Sequence, residues 1–324
     1  MMTIPNLVTP EFRALSAMLG KDPLQVQGPG GNTSIKDGSV MFIKASGTEL
    51  ADAEEKDIFV AVDRDAAVQE ALEKEGDGSC KDTVLDKSHG LRPSIETTFH
   101  AALNHRVVAH THSVATLVHA ISPEGRNAVA HKLDGIPFVM VPYAKPGLPL
   151  TGEILARVTE ETRVVILQNH GLICMGDSVE EVRDLIAAVE AKLAMDAKSV
   201  PIVSSRKLSP EGFEWSDYGW LAMDETVADL ALNGTYYPDH VVFLGPALPT
   251  QDHDGNPPAI LKRGDGVLIK TDATSSQRAM LRCISDVFAR MPADWTVEAI
   301  GEKAEAELLD WDAEKYRQAL AARA

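Results

Sequence analysis

Between Arg163 and Lys198 the chain changes its hydrophobic period. "VVILQ" is a short, nearly continuous apolar run followed by the turn residues "NHG", which reads as a buried strand. "LICMG" reads as a second short strand. From Ser178 the period becomes that of a helix: "SVEEVRDLIAAVEAKLAMDAK" is long and amphipathic. Ser178 and Glu181 have the spacing of a capping box at its start, and Pro201 follows soon after it. The aliphatic stripe of this helix is expected in a core. Buried strands backed by a one-sided helix require a helix layer packed on a sheet, so this stretch points to an α/β architecture.

The same alternation recurs along the chain. "TPEFRALSAMLG" predicts a helix with Thr9 as N-cap, Pro10 at the first helical position and Gly20 at its end. In "QGPGGNTSIKDGSVMFIKASGTEL" (27–50) the glycines mark a loop, "DG" at 37–38 a hairpin turn and "SVMFIKAS" a strand. Residues 51–92 read as an irregular surface stretch with one short strand, "IFVAVD". "PSIETTFHAAL" predicts a helix started by Pro93, with Ile95, Phe99 and Leu103 as its apolar stripe. A strand at 107, a helix across 113–121 and a strand at "PFVMVPY" follow. Beyond residue 200, "DHVVFLGP" and "DGVLIKTD" read as strands. "SSQRAMLRCISDVFARM" and "DAEKYRQALAARA" read as helices. The expected division is a first domain over 1–200 and an α/β extension over 201–324, either separate or packed on the first.

Composition narrows the function classes. With 324 residues, 44% of them hydrophobic, the chain can bury a large core without staples. No apolar run approaches the roughly 20 residues of a membrane span. The start, "MMTIPNLVTPEFRAL", lacks the basic and apolar regions of a signal peptide, and Cys80, Cys174 and Cys283 form no metal or disulfide pattern. The expectation is a cytoplasmic protein. A formal charge of −17 disfavours nucleic acid and anionic membranes as partners. It leaves room for an anionic small molecule, because local N–H groups and lysines act within the roughly 10 Å over which salt leaves charges unscreened.

"VVAHTHSVAT" places His110 and His112 two apart behind a strand-like run. On a strand both rings point to one face, whereas on a helix they would diverge. By spacing alone they are as well explained as a buried, hydrogen-bonded pair. His170, in the turn after a buried strand, adds a third imidazole. Three nitrogen ligands and no thiolate form the pattern of a catalytic zinc site with an open position, and imidazole also suits other first-row divalent metals.

Taken together and in this order, "GGNTS", "KASGT", "PSIET", "HTH" and "QNHG" resemble the class II aldolase/adducin family over about residues 9–200. That resemblance implies a three-layer α/β/α domain around a central mixed or antiparallel sheet. It implies that His110, His112 and His170 bind Zn2+ and that Glu96 is the acid/base residue. Taken alone, Glu96 reads as a helix residue paired with His100 at i+4. Gly31, Asn32, Ser46 and Gly47 correspond to the family's phosphate pocket, joined by Ser94 and by Lys44 as a point charge. This is neither a P-loop nor a dinucleotide fingerprint. One departure is Ile95, where the fuculose-type members have a second phosphate-binding serine. Tyr143 corresponds to a tyrosine that reaches a neighbouring subunit's site, which implies a homotetramer with its site at the subunit interface. Tyr218, Tyr236 and Tyr237 are candidates for a second tyrosine, while His100, His105, His119 and His131 read as structural. Residues in "YYPDHVVFLGP" and "LLDWDAEKYRQAL" resemble the aldolase part of longer chains fused to a short-chain dehydrogenase, and no dehydrogenase segment is expected here.

The activity implied is that of a zinc-dependent lyase. It would cleave a C–C bond of a sugar phosphate or hydroxy-acid derivative through a metal-stabilised enediolate. Decarboxylase, epimerase and dehydratase chemistry use the same constellation. A non-catalytic adducin-like module is the reading from another class, and retention of three histidines and the glutamate speaks against it.

Overall fold

Gly38 and Ser39 close a two-residue hairpin, with Gly38 at φ +56° and Asp37 facing Val40 across it. This hairpin starts the main sheet of the computed structural model, which describes residues 4–73, 78–201, 203, 207–252 and 256–321. The strands are β1 (Asn32–Asp37), β2 (Val40–Lys44), β3 (Phe59–Asp63), β4 (Val107–Thr111), β5 (Phe138–Val141), β6 (Val164–Leu167), β7 (Gly171–Gly176), β8 (Phe213–Trp215), β9 (Ala259–Lys262) and β10 (Gly266–Lys270). The helices are α1 (Pro10–Lys21), α2 (Arg64–Leu72), α3 (Thr97–Ala102), α4 (Val114–Ala120), α5 (Pro123–Lys132), α6 (Leu148–Leu155), α7 (Val179–Leu193), α8 (Glu225–Asn233), α9 (Pro238–Leu244), α10 (Ser275–Arg290), α11 (Glu302–Leu309) and α12 (Asp312–Ala321).

Seven strands form one sheet in the order β3-β2-β1-β4-β7-β6-β5, antiparallel except for the β5–β6 pair. Side chains alternate across it. Val107 and Ala109 of β4 pack with Phe12 and Leu15 of α1 and with Val182, Ile186 and Val189 of α7. Val108, one step along, packs with Phe99 of α3 and with Leu150 and Ile154 of α6 on the opposite face. The result is helices on both faces of a mostly antiparallel sheet, the three-layer arrangement that the resemblance implied within the α/β class read from the alternation of periods.

The remaining elements build a three-stranded antiparallel sheet, β8-β10-β9, with α8 to α10. Their core is continuous with the first: Val114, Leu117, Val118 and Ile121 around α4 share one buried cluster with Trp220, Val241, Leu261 and Ile284. No helix among the described residues is long and apolar enough to cross a membrane.

Four local expectations are corrected. "DHVVFLGP" is not a strand; it contributes most of α9, with Pro238 at the first helical position. All seven residues of that helix are buried, so it has no polar face and no readable period. The stretch 51–92 contains α2, capped by Asp63, whose side chain accepts from the Ala66 N–H. The helix expected from Pro93 starts only at Thr97, because Pro93 pairs with Ala45 in an isolated antiparallel bridge. At α7, Ser178 caps as expected, but the Glu181 carboxylate accepts from Asp177 N–H at 2.8 Å, one residue before the position a capping box uses.

Candidate active site

The strand register brings the histidines together. β4 lies between β1 and β7, and His110 stands opposite Asn32 on one side and Ile173 on the other. His112 lies just past the end of β4, on the same face as His110. His170 comes from the turn before β7, where Asn169 adopts φ +52°. The ring centroids lie 5.0 Å apart for His110 and His112, 4.9 Å for His110 and His170, and 5.3 Å for His112 and His170. Gly31 allows this convergence: its φ is +59°, and a Cβ there would lie 2.8 Å from the His110 carbonyl oxygen.

All three histidines are buried. Nδ1 of His110 donates to the Leu172 carbonyl at 3.0 Å, which leaves Nε2 as the lone-pair nitrogen. That Nε2, the Nδ1 atoms of His112 and His170, and Glu96 Oε1 are buried without a hydrogen-bond partner among the described residues. Burial pushes the His110 imidazolium pKa down and the His170 value well down. Neutral imidazole is the form that ligates a metal. One nitrogen from each ring lies within 4.8 Å of the others, so the group fits a divalent cation. Glu96 closes this group, with Oε2 3.5 Å from His110 Nε2 and Oε1 3.6 Å from His170 Nε2. It is not an exposed helix residue; it is buried at the N-cap position of α3.

Gly31, Asn32, Lys44, Ser46, Gly47 and Ser94 all line one cavity beside the histidines, and Ile95 lines it as well. Two backbone bonds, from Ser46 N–H to Arg92 O and from Ser94 N–H to Lys44 O, hold the two loops side by side. The Asn32 amide nitrogen donates to Glu96 Oε2 at 2.8 Å and to Ser94 Oγ at 3.2 Å. Its carbonyl oxygen accepts from His100 Nε2, whose Nδ1 in turn accepts from Ser34 Oγ at 2.7 Å. His100 is therefore not a partner of Glu96 but the residue that orients the amide holding it. Lys44 Nζ donates to Pro29 O at 2.8 Å, and burial, helped by the nearby Arg317, pulls its pKa down to about 7.

Tyr143 is not brought into this cavity. Its hydroxyl is buried without a partner among the described residues, and burial, with Glu307, Glu305 and Glu314 nearby, pushes its pKa well up. None of the other candidate tyrosines enters either. Tyr236 donates to Leu230 O at 2.8 Å, the Tyr237 side chain is fully buried, and Tyr218 lines a separate groove with Trp215 and Arg282.

Three charged residues of the cavity wall, Asp239, Glu314 and Arg317, were not among the candidate site residues, although they lie in "YYPDHVVFLGP" and "LLDWDAEKYRQAL". Asp239 Oδ2 lies 3.2 Å from His112 Nδ1, at ion-pair distance without hydrogen-bond alignment. Arg317 Nη1 lies 2.9 Å from Asp239 Oδ1 and 2.8 Å from Glu314 Oε2. Burial opposes the charge on Asp239, but Arg317 and His112 outweigh it and hold the carboxyl well below the usual range. Glu314 goes the other way, pushed up to about 7 by burial against the pull of Arg317. Pro238 before an acid was a usable signal for a helix start at Pro238, with Asp239 in its first turn. Arg317 had only its place in "LLDWDAEKYRQAL", since a glutamate and an arginine at i, i+3 mark no cavity by their spacing.

The family model described as Class II Aldolase and Adducin N-terminal domain matches residues 13–196. A relative named uncharacterized oxidoreductase YuxG, from Bacillus subtilis (strain 168), is 30% identical over 184 residues, which are 51% of this chain and 26% of that protein. The chain thus spans about a quarter of the length of this curated relative. Among solved structures, the N-terminal class II aldolase domain of a conserved protein from Thermoplasma acidophilum is 27% identical. The match covers 60% of this chain and 95% of that one with a TM-score of 0.52. Asp239, Glu314 and Arg317 lie outside the residues matched by the family model.

Proposed function

The chain belongs to the class II aldolase and adducin family, and from that premise we propose that it is a zinc-dependent lyase. It would cleave a carbon–carbon bond beside the carbonyl of a small sugar-phosphate or hydroxy-acid substrate. The observation that carries this reading is the convergence of three buried imidazoles on one point, with the Glu96 carboxylate against two of them and His110 Nε2 and Glu96 Oε1 without a hydrogen-bond partner among the described residues. A nitrogen-only ligand set favours zinc, with other first-row divalent ions as substitutes. When bound by His110, His112 and His170, such an ion supplies Lewis acidity to substrate oxygens next to the bond that breaks.

Glu96 is the base in this reading. Asn32 fixes one carboxylate oxygen and leaves Oε1 free toward the histidines. That oxygen takes the proton from the hydroxyl of the departing aldehyde fragment while the electron pair of the breaking bond stays on the carbonyl fragment. The same proton is then delivered to carbon. Gly31, Asn32, Lys44, Ser46, Gly47 and Ser94 supply the small side chains, donors and charge that would seat the substrate's anionic group.

The test is proton exchange on dihydroxyacetone phosphate in heavy water, followed by NMR with zinc-loaded protein and no aldehyde. Stereospecific loss of one C–H signal is the expected result. Glu96→Gln should keep its zinc and lose roughly 10²- to 10⁴-fold in exchange rate, the usual contribution of a positioned base. His110→Ala should lose both metal and exchange. Undiminished exchange in Glu96→Gln would remove Glu96 from the role. No exchange by zinc-bound wild type would favour decarboxylation on the same scaffold.

A further inference from the structure

α12 lies over the cavity and contributes the two residues at i and i+3 that enter its wall. Leu320 sits against Gly47, where a Cβ would lie 2.3 Å from Leu320 Cδ1. The Arg92 guanidinium stacks 4.3 Å over the Tyr316 ring, and Gln318 donates to Val242 O. Both carboxylate oxygens of Glu314 accept from Arg317 Nη1, at 3.0 and 2.8 Å. Glu314 is 1% exposed and Arg317 8%.

The charges do not balance. Glu96, Asp239 and Glu314 face two cations, Lys44 and Arg317. Asp239 has a second contact, His112, and Glu96 has Asn32 and the other histidines. The Glu314 carboxylate has only Arg317 among its described side-chain bonds. A buried carboxylate is costly to keep charged, and its pKa is pushed up accordingly. Arginine's planar fork suits carboxylates and phosphates alike. Lys44, whose ammonium spends one hydrogen on Pro29 O, has further donors beside it. The cavity leaves about 20 Å³ in which the centre of a water-sized molecule can sit, which is room for about one water. A phosphate-sized group enters only if something leaves.

We propose that Arg317 is the oxyanion-binding residue of this cavity, and that Glu314 holds its place until the anionic head group of the substrate displaces it. This rests on the reading of the cavity as the substrate site. α12 is then part of the binding machinery, and Glu314 acts as an internal competitor that keeps the buried guanidinium paired when no substrate is present.

The test is a double-mutant cycle on the full chain without added metal, with inorganic phosphate as the probe and binding measured by calorimetry. Glu314→Gln should bind phosphate about tenfold tighter, and Arg317→Gln about tenfold weaker, the scale of one charge-assisted hydrogen bond. Glu314→Gln made in the Arg317→Gln background should gain nothing, because the competitor acts through the guanidinium. Arg317→Lys keeps the charge without the fork and should also lose affinity; it serves if the glutamine variant does not fold. Equal gains from Glu314→Gln in both backgrounds would show a general charge effect and overturn the assignment. So would the absence of phosphate binding in every variant. Repeating the titrations with acetate separates the two head groups: tighter phosphate identifies a phosphate ester, tighter acetate a carboxylate, and either supports the site. Phosphate binding through Arg317 without proton exchange would sink the lyase reading alone. Exchange with a phosphate affinity indifferent to both substitutions would sink this proposal alone.

Discussion

The amide of Asn32 divides its two ends between His100 and Glu96. The Glu96 carboxylate fixes which end is the donor, because it can only accept; the amide oxygen is then left to accept from His100 Nε2–H, and Nδ1 to accept from Ser34 Oγ. Asn32→Ala should therefore keep metal binding and lower turnover by roughly ten- to a hundredfold, the cost of one hydrogen bond to a charged group. Metal content and kcat measured on the same preparation check this, and unchanged kcat would count against the positioning role. The histidines were readable because a period of two places His110 and His112 on one face. His100 carries no such mark. Its side-chain hydrogen bonds are to Asn32 and Ser34 of β1, which lie more than sixty residues away along the chain and are met only when α3 packs on the sheet.

At the scale of the element, the contact between Gly47 and Leu320 decides how α12 is seated. Gly47→Ala would place a Cβ in a left-handed backbone at φ +76° and against that leucine. The expected loss is about 1–3 kcal/mol of stability, with faster hydrogen exchange confined to α12. Gly47→Ala with Leu320→Ala should recover part of it. A uniform rise in exchange along the chain would contradict this view of the contact. Helix α9 shows why some elements are hidden from sequence. An amphipathic helix such as α7 announces its axis through a polar face, whereas a helix buried on every side, with even Asp239 and His240 inside, shows no helical period.

For the whole molecule, the two parts of the chain share one core and meet at specific points. The Asn169 side chain, next to His170, donates to Tyr236 O at 3.1 Å and to Glu298 O at 2.7 Å. His119 on α4 packs edge-on against Trp295, and burial pushes its pKa down to about 4. The unfolded chain binds this proton near pH 6.5 and the folded chain only near 4. The stability contributed by keeping His119 neutral is thus complete above about pH 6.5 and is lost as the pH falls toward 4. The loss amounts to about 3 kcal/mol at roughly 1.4 kcal/mol per pH unit. Thermal unfolding between pH 7 and 4.5 should show this slope, and His119→Phe should flatten it; an unchanged slope would assign the acid sensitivity elsewhere.

Legible along the chain were the α/β class, the hairpin at Gly38, the helix α7, the three metal-ligand candidates and the loops that line the cavity beside them. Each of these is written in a few consecutive residues, as a period, a cap, a turn or a motif. Packing decided that the Tyr143 side chain stays out of this chain's own cavity, that His100 orients the amide beside Glu96, and that Asp239, Glu314 and Arg317 complete the cavity wall. These depend on where packing brings residues that are far apart along the chain. No local pattern records that Arg317, more than two hundred positions beyond Glu96, faces the same small space.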